Sequence, residues 1–137
     1  MQAVLVVEED KIVRSLVSTI IRSAGYESVE SSNWDDAVMI AHSGAIDAIV
    51  LDCMGRAGRG METLKLLRGD ARTTAIPVVA MCGLGQYGAE LGLWAKAVVV
   101  KPFRPAQLLI KLQNAIQARA STSTYAEASS SAIAHTV

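Results

Sequence analysis

A chain of 137 residues, 51% hydrophobic, is large enough to bury a core as one domain without disulfides or a structural metal. Its thirteen basic and thirteen acidic side chains cancel to a formal net charge of zero, which leaves no general basic field for nucleic acid or an anionic membrane surface. Two cysteines are too few for a secreted disulfide framework, the start Met1-Gln2-Ala3-Val4 has no basic leader, and charged residues break every apolar stretch short of the roughly 18 residues of a membrane span, so a soluble, cytoplasmic protein is expected.

The run Ala3 to Val7 reads as a strand buried on both faces, after which Asp10 can cap a helix whose inner side carries Val13, Leu16, Val17, Ile20, Ile21 and Ala24. Gly25 supplies the left-handed residue that ends such helices. Tyr26 to Ser31 is a second strand, Asn33 caps a short helix around Asp36 to His42, and Asp47 to Leu51 is a third strand that delivers Asp52 into a glycine-rich loop with Gly55, Gly58 and Gly60. A third helix after Gly60 buries Met61, Leu64 and Leu67, and Ile76 to Met81 forms a fourth strand with Pro77 at its entry, where a missing N–H matters least. Gly83, Gly85, Gly88 and Gly92 each cost a helix roughly 1 kcal/mol, so the fourth helix is expected to be short or loose. Ala97 to Val100 is the fifth strand, and Pro105 opens the last amphipathic helix with Leu108, Leu109, Leu112 and Ile116. From Ser121 to Val137 the composition turns to Ser, Thr and Ala without an apolar period. A domain over 1–120 with a disordered tail over 121–137 is therefore expected.

Strands alternating with helices imply a parallel sheet covered on both faces, with polar residues gathered at its carboxyl edge. Three segments deliver them there: Glu8-Glu9-Asp10 after the first strand, Asp52 after the third, and Lys101 with Pro102 and Phe103 after the fifth. A carboxylate costs several kcal/mol to bury unpaired, so these acids and the amine are expected to meet.

On four motifs the chain resembles the receiver domains of two-component response regulators. They are VLVVEED (4–10), IVLD (49–52) with Gly60 eight residues on, IPVVAMCG (76–83) and VVVKPF (98–103), and the resemblance covers about residues 3–118. It implies a flavodoxin-like (βα)5 three-layer sandwich, an α/β fold whose parallel five-stranded sheet has the order 2-1-3-4-5. It implies Asp52 as phosphoacceptor for a sensor histidine kinase or phosphotransfer protein, with Lys101 against the phosphoryl oxygens. It further implies Mg²⁺ held by Glu8, Glu9, Asp52 and the backbone carbonyl of Met54, an all-oxygen set of the kind that cation prefers. No enzyme activity beyond self-phosphorylation and autodephosphorylation is implied.

Several positions depart from the family's pattern. The acid pair is Glu-Glu, where at least one Asp is usual, and the longer side chains are expected to weaken Mg²⁺ binding. Cys82 stands at the switch position that usually carries Thr or Ser, and a thiol is a weak donor. Val98 stands where an aromatic usually turns inward, and no resolving cysteine is evident near Cys82. Arg56 and Arg59 bring positive charge to the loop after Asp52, either for an anion or for solvent. Two readings follow: a stand-alone receiver that modulates an unknown protein partner, and a pseudo-receiver acting as a phosphorylation-independent interaction module. No nucleic acid and no membrane span enter either one. Homodimerisation, where it occurs, would use the fourth helix, fifth strand and fifth helix.

Overall fold

The computed structural model describes residues 1–53, 59–85 and 89–136, with side chains described except at 89 and 122–136. The chain alternates β1 (Ala3–Val7), α1 (Lys11–Ser23), β2 (Glu27–Ser31), α2 (Trp34–His42), β3 (Ala48–Asp52), α3 (Arg59–Gly69), β4 (Val78–Gly83), α4 (Ala89–Trp94), β5 (Ala97–Lys101) and α5 (Pro105–Thr136). The sheet order is β2-β1-β3-β4-β5, every pairing is parallel, and the flavodoxin-like arrangement expected from the sequence is the one observed.

Local signals set these boundaries. The Asp10 carboxylate accepts from the amides of Ile12 and Val13 at 2.9 and 3.0 Å, satisfying two of the donors a helix start leaves open. Gly25 follows α1 with a φ of +91°, where a side chain would be strained. Asn33 accepts from the Asp36 amide at 2.8 Å and starts α2 at Trp34, two residues before the expected Asp36. α4 is six residues long, as its glycines predict.

The buried side chains divide into two layers on either side of the sheet. Leu5, Val7, Ile49, Leu51, Ala80 and Cys82 point towards α2, α3 and α4. Val4, Val6, Val50, Val79, Met81 and Val99 point towards Val17, Ile20 and Ile21 of α1 and Leu108, Leu112 and Ile116 of α5. Successive strand residues thus feed opposite cores, which is why the strands read as unbroken apolar runs.

The last helix runs past the boundary that composition suggests. The α5 backbone is helical to Thr136, past Ser121 where composition predicts disorder. The expectation weighed the missing apolar period, whereas helical backbone needs only propensity, and Ala120, Ala126, Ala128, Ala132 and Ala134 carry the least helix cost of any residue. Among the described residues, those of α5 buried against the sheet are Leu108, Leu112, Ala115 and Ile116.

Candidate functional site

The carboxyl ends of β1, β3 and β5 bring Glu8, Asp52 and Lys101 together, as the sequence predicts. Glu8 and Asp52 are 3% and 5% exposed, so both carboxylates are withdrawn from water. Lys101 Nζ donates to Glu8 Oε1 at 2.9 Å and to Asp52 Oδ1 at 3.5 Å. The sheet order explains the residue type: β4 lies between β3 and β5, so the amine of Lys101 must cross one strand to reach Asp52. A four-carbon stem makes that reach. The strand under it ends in Cys82 and Gly83, and Gly83 is in register with Lys101. The Lys101–Pro102 peptide is cis.

Burial is the main reason that the Glu8 pKa rises from 4.5 to about 7; its hydrogen bond with Asp52 adds to the rise and Lys101 opposes it. The backbone of Glu8 is fixed from two sides. Its amide donates to the Ser31 carbonyl at 3.1 Å, continuing the β1–β2 ladder. Arg14 Nη1 donates to the Glu8 carbonyl at 2.8 Å and to the Glu9 carbonyl at 3.3 Å, while Arg14 Nε faces Glu30 at 3.5 Å. The three consecutive acids therefore divide their work: Glu8 enters the pocket, Glu9 is exposed, and Asp10 caps α1. Arg14 was not singled out from sequence, because its targets are backbone carbonyls that no residue type announces.

Gly60 explains the glycine eight residues after Asp52. A Cβ there would lie 2.6 Å from the Asp52 carbonyl oxygen and 2.7 Å from Cys53 Cα, so only glycine lets α3 begin against the end of β3. Arg59, beside it, pairs with Asp35 of α2 at 3.2 Å. Met54 and Arg56 lie outside the described residues.

Cys82 is buried among the apolar residues facing α3 and α4, and Val98 packs against the same cluster. The sequence suggests no second cysteine near Cys82, and the strand register corrects this. Asp52 pairs with Met81 and the Cys53 amide donates to the Met81 carbonyl at 2.7 Å, which makes Cys53 the lateral neighbour of Cys82 on the same sheet face. Both thiols are free. Burial, with the nearby charges of Asp52 and Cys82, pushes Cys53 up to about 12, and burial also raises Cys82. Both shifts run away from the thiolate, which disfavours a thiolate-based chemistry.

Among the described residues no three His, Cys, Asp or Glu side chains gather closely enough to hold a metal ion. The donors present are of the right kind for a hard cation, since Glu8 and Asp52 offer carboxylate oxygens at one point of the edge. Glu9 is not part of that group in this state. Two buried carboxylates compensated by one ammonium form an electrostatically poised pocket, open to a nucleophilic role for one acid and a charge-neutralising role for the lysine.

Over residues 4–113 the chain matches the family described as response regulator receiver domain. It belongs to that family. The phosphate regulon transcriptional regulatory protein PhoB of Klebsiella pneumoniae is 33% identical over 115 residues, 80% of this chain and 49% of that protein. PhoB of Escherichia coli is 31% identical over the same length. This receiver therefore spans about half the length of the curated relatives it matches. Among solved structures, the chemotaxis protein CheY4 of Vibrio cholerae aligns with a TM-score of 0.74 at 27% identity, covering 84% of this chain and 98% of that one. A response regulator receiver domain protein of Clostridium thermocellum shares the fold with a TM-score of 0.81 at 20% identity, over 89% and 99% of the two chains. Receiver domains generally bind Mg²⁺ at an acidic site and work with a sensor kinase. The receiver is a signalling fold rather than a metabolic catalyst, and the pseudo-receiver alternative is not favoured. No helix among the described residues is long and apolar enough to cross a membrane.

Proposed function

We propose that this receiver accepts a phosphoryl group on Asp52 from the phosphohistidine of a sensor kinase or phosphotransfer protein. A carboxylate oxygen of Asp52 attacks phosphorus, the phosphorus–nitrogen bond to the donor histidine breaks, and an acyl phosphate forms. The observation that carries this reading is the convergence of Asp52, Glu8 and Lys101 at the carboxyl edge, with Lys101 Nζ within 3.5 Å of both acids. An anionic nucleophile approaching an anionic phosphoryl group needs positive charge already in place, and Lys101 supplies part of it. Mg²⁺ would be held by Glu8, Glu9, Asp52 and the Met54 backbone carbonyl, and when bound it would neutralise phosphoryl oxygens. Glu9 must turn inward from its exposed position for that set to form. Residues 1–120 form the receiver unit in this reading, because the described side chains of α5 that are buried, Leu108, Leu112, Ala115 and Ile116, lie within it.

Output passes to a protein partner across α4, β5 and α5. A groove of about 620 Å³ on this face is lined by Leu84, Val98, Val100, Phe103 and Ile110, and Leu84 and Ile110 are largely exposed. Unpaired apolar surface of this kind suits a protein partner or a second copy of the chain. Lys101 lines the same groove, which links the phosphoacceptor pocket to the output face through one side chain.

Incubation with acetyl phosphate and Mg²⁺, followed by intact mass spectrometry, tests the chemistry. One phosphoryl adduct is expected on the wild-type chain and none on Asp52→Asn. An adduct that persists in Asp52→Asn, or none in the wild type with either acetyl phosphate or a cognate kinase, overturns the assignment.

A further inference from the structure

We propose that a cleft at the amino edge of the sheet, opposite the acidic pocket, binds the phosphate group of a small anionic ligand between Arg68, Lys96 and Arg119. The three cations come from separate elements: Arg68 from the last turn of α3, Lys96 from the turn between α4 and β5, and Arg119 from α5. They line one cleft of about 330 Å³, and no acidic residue is among its described lining. That volume is near the lower end of those that small-molecule sites occupy, and a concave wall with charge of one sign focuses its field on whatever enters. Charge balance separates this group from the other arginines. Arg14, Arg59 and Arg72 each face a carboxylate, at 3.5, 3.2 and 2.9 Å. Among the described residues, Arg68, Lys96 and Arg119 face none within ion-pair distance.

Cations at such an edge commonly serve the carbonyls of helix ends, and Arg68 does so through Nε to Trp94 and through Nη1 to Thr74 and Ile76. These bonds hold the guanidinium in place, leave Nη2 outside them, and cover the electronegative groups that would otherwise repel an anion. Arg119 is anchored in the same way by Nη1, which donates to the Asp47 carbonyl at 3.1 Å. Carbonyl capping does not account for Lys96. Its backbone amide donates to Val78 at 2.9 Å, while its exposed side chain enters no hydrogen bond among the described residues. Burial also disfavours the charge on Arg68, pushing its pKa below the ordinary guanidinium value, and an anion beside it would offset that cost. Two anchored forks and one ammonium suit a doubly charged phosphate better than a single carboxylate. Trp94 and the largely exposed Leu93 line the same cleft and give an apolar wall for the organic part of a phosphate ester, whereas free phosphate would use the cations alone. An occupant would join α3, the α4–β5 turn and α5 through one group, independently of the chemistry at Asp52.

Heteronuclear NMR titration of the full chain at constant ionic strength, without divalent cation, tests this with inorganic phosphate, phenyl phosphate and acetate. Saturable shifts are expected at the Trp94 indole, the Lys96 and Ala97 amides and the Arg68 Nε–H, with acetate about tenfold weaker than phosphate or worse. Tighter binding of phenyl phosphate identifies an ester as the ligand, and equal binding identifies free phosphate; either upholds the site. Lys96→Gln and Arg119→Gln are each expected to weaken binding about fivefold or more, whereas Arg22→Gln, which removes an exposed cation of α1, leaves it within about twofold. Circular dichroism checks folding, and Lys96→Gln carries the comparison should Arg119→Gln not fold. Shifts confined to Glu8, Asp52 and Lys101, shifts that do not saturate, acetate binding as tightly as phosphate, or equal weakening by Arg22→Gln would each overturn the proposal.

Discussion

Glu8 holds a proton more tightly in the folded chain than in the unfolded one, since its pKa rises from 4.5 to about 7, chiefly through burial. A group shifted upward contributes stability that is complete below the unfolded value and is lost as pH rises through the folded one. Without divalent cation, the folding stability of the wild type is therefore expected to fall relative to Glu8→Gln between about pH 5 and about pH 8, by on the order of 1–3 kcal/mol. Parallel melting curves for the two proteins across that range would contradict it. Gly60 carries a steric prediction of a different kind. In Gly60→Ala the new Cβ meets backbone atoms at 2.6 and 2.7 Å, which no side-chain rotation relieves, so a loss of about 2–3 kcal/mol is expected in urea unfolding. At this scale the sequence reveals charged residues well, because Asp52, Lys101 and Glu8 interrupt apolar strands. It conceals Arg14, which acts on main-chain carbonyls, and the Cys53–Cys82 neighbourhood, which exists only through strand register.

α4 is too short and glycine-rich to hold its place by helix propensity, and α3 holds it instead. Lys65 pairs with Glu90 and lies 5.8 Å over the Trp94 ring, while Arg68 Nε donates to the Trp94 carbonyl at 2.7 Å. Arg68 Nη1 also donates to the carbonyls of Thr74 and Ile76 at 2.7 and 2.9 Å, so one guanidinium ties α3, the approach to β4 and the end of α4. These contacts differ in worth. Lys65 is largely solvated, and Lys65→Met is expected to cost less than about 1 kcal/mol. Arg68→Met strands three carbonyls at a partly buried junction and is expected to cost about 2–3 kcal/mol. Equilibrium unfolding of the two variants checks the ranking, and an equal cost would refute it. Helix starts and stops were legible where a cap residue stands, as at Asp10, Asn33 and Gly25. The α3–α4 tie was not, because Arg68 acts on main-chain carbonyls that no residue type announces.

For the whole molecule, the alternation of apolar runs and amphipathic segments was enough to predict five β/α units, and the family motifs supplied the strand order that periodicity cannot. A Ser-, Thr- and Ala-rich stretch lacks an apolar period, which bears on packing and leaves backbone conformation open. Truncation after Ala120 is accordingly expected to leave the melting temperature unchanged within about 2 °C, because no buried residue of the described α5 core is removed. A clear drop would show that the distal helix docks on the domain. The two-layered core also bears on signalling: Cys82 and Val98 face the α2–α4 layer, away from the α1–α5 layer. A change at the end of β4 is therefore felt first by the layer that holds the short, externally tied α4.

The lysine that spans β4 has one further consequence. Because Lys101 starts on β5 and ends at acids carried by β3 and β1, its ion pairs hold only while the width and twist of four strands stay fixed. The side chain acts as a strain gauge laid across the sheet. Deformations of the scaffold, whether from a docked partner or a remote substitution, would register as a change in the ammonium's hydrogen bonding before any strand separates.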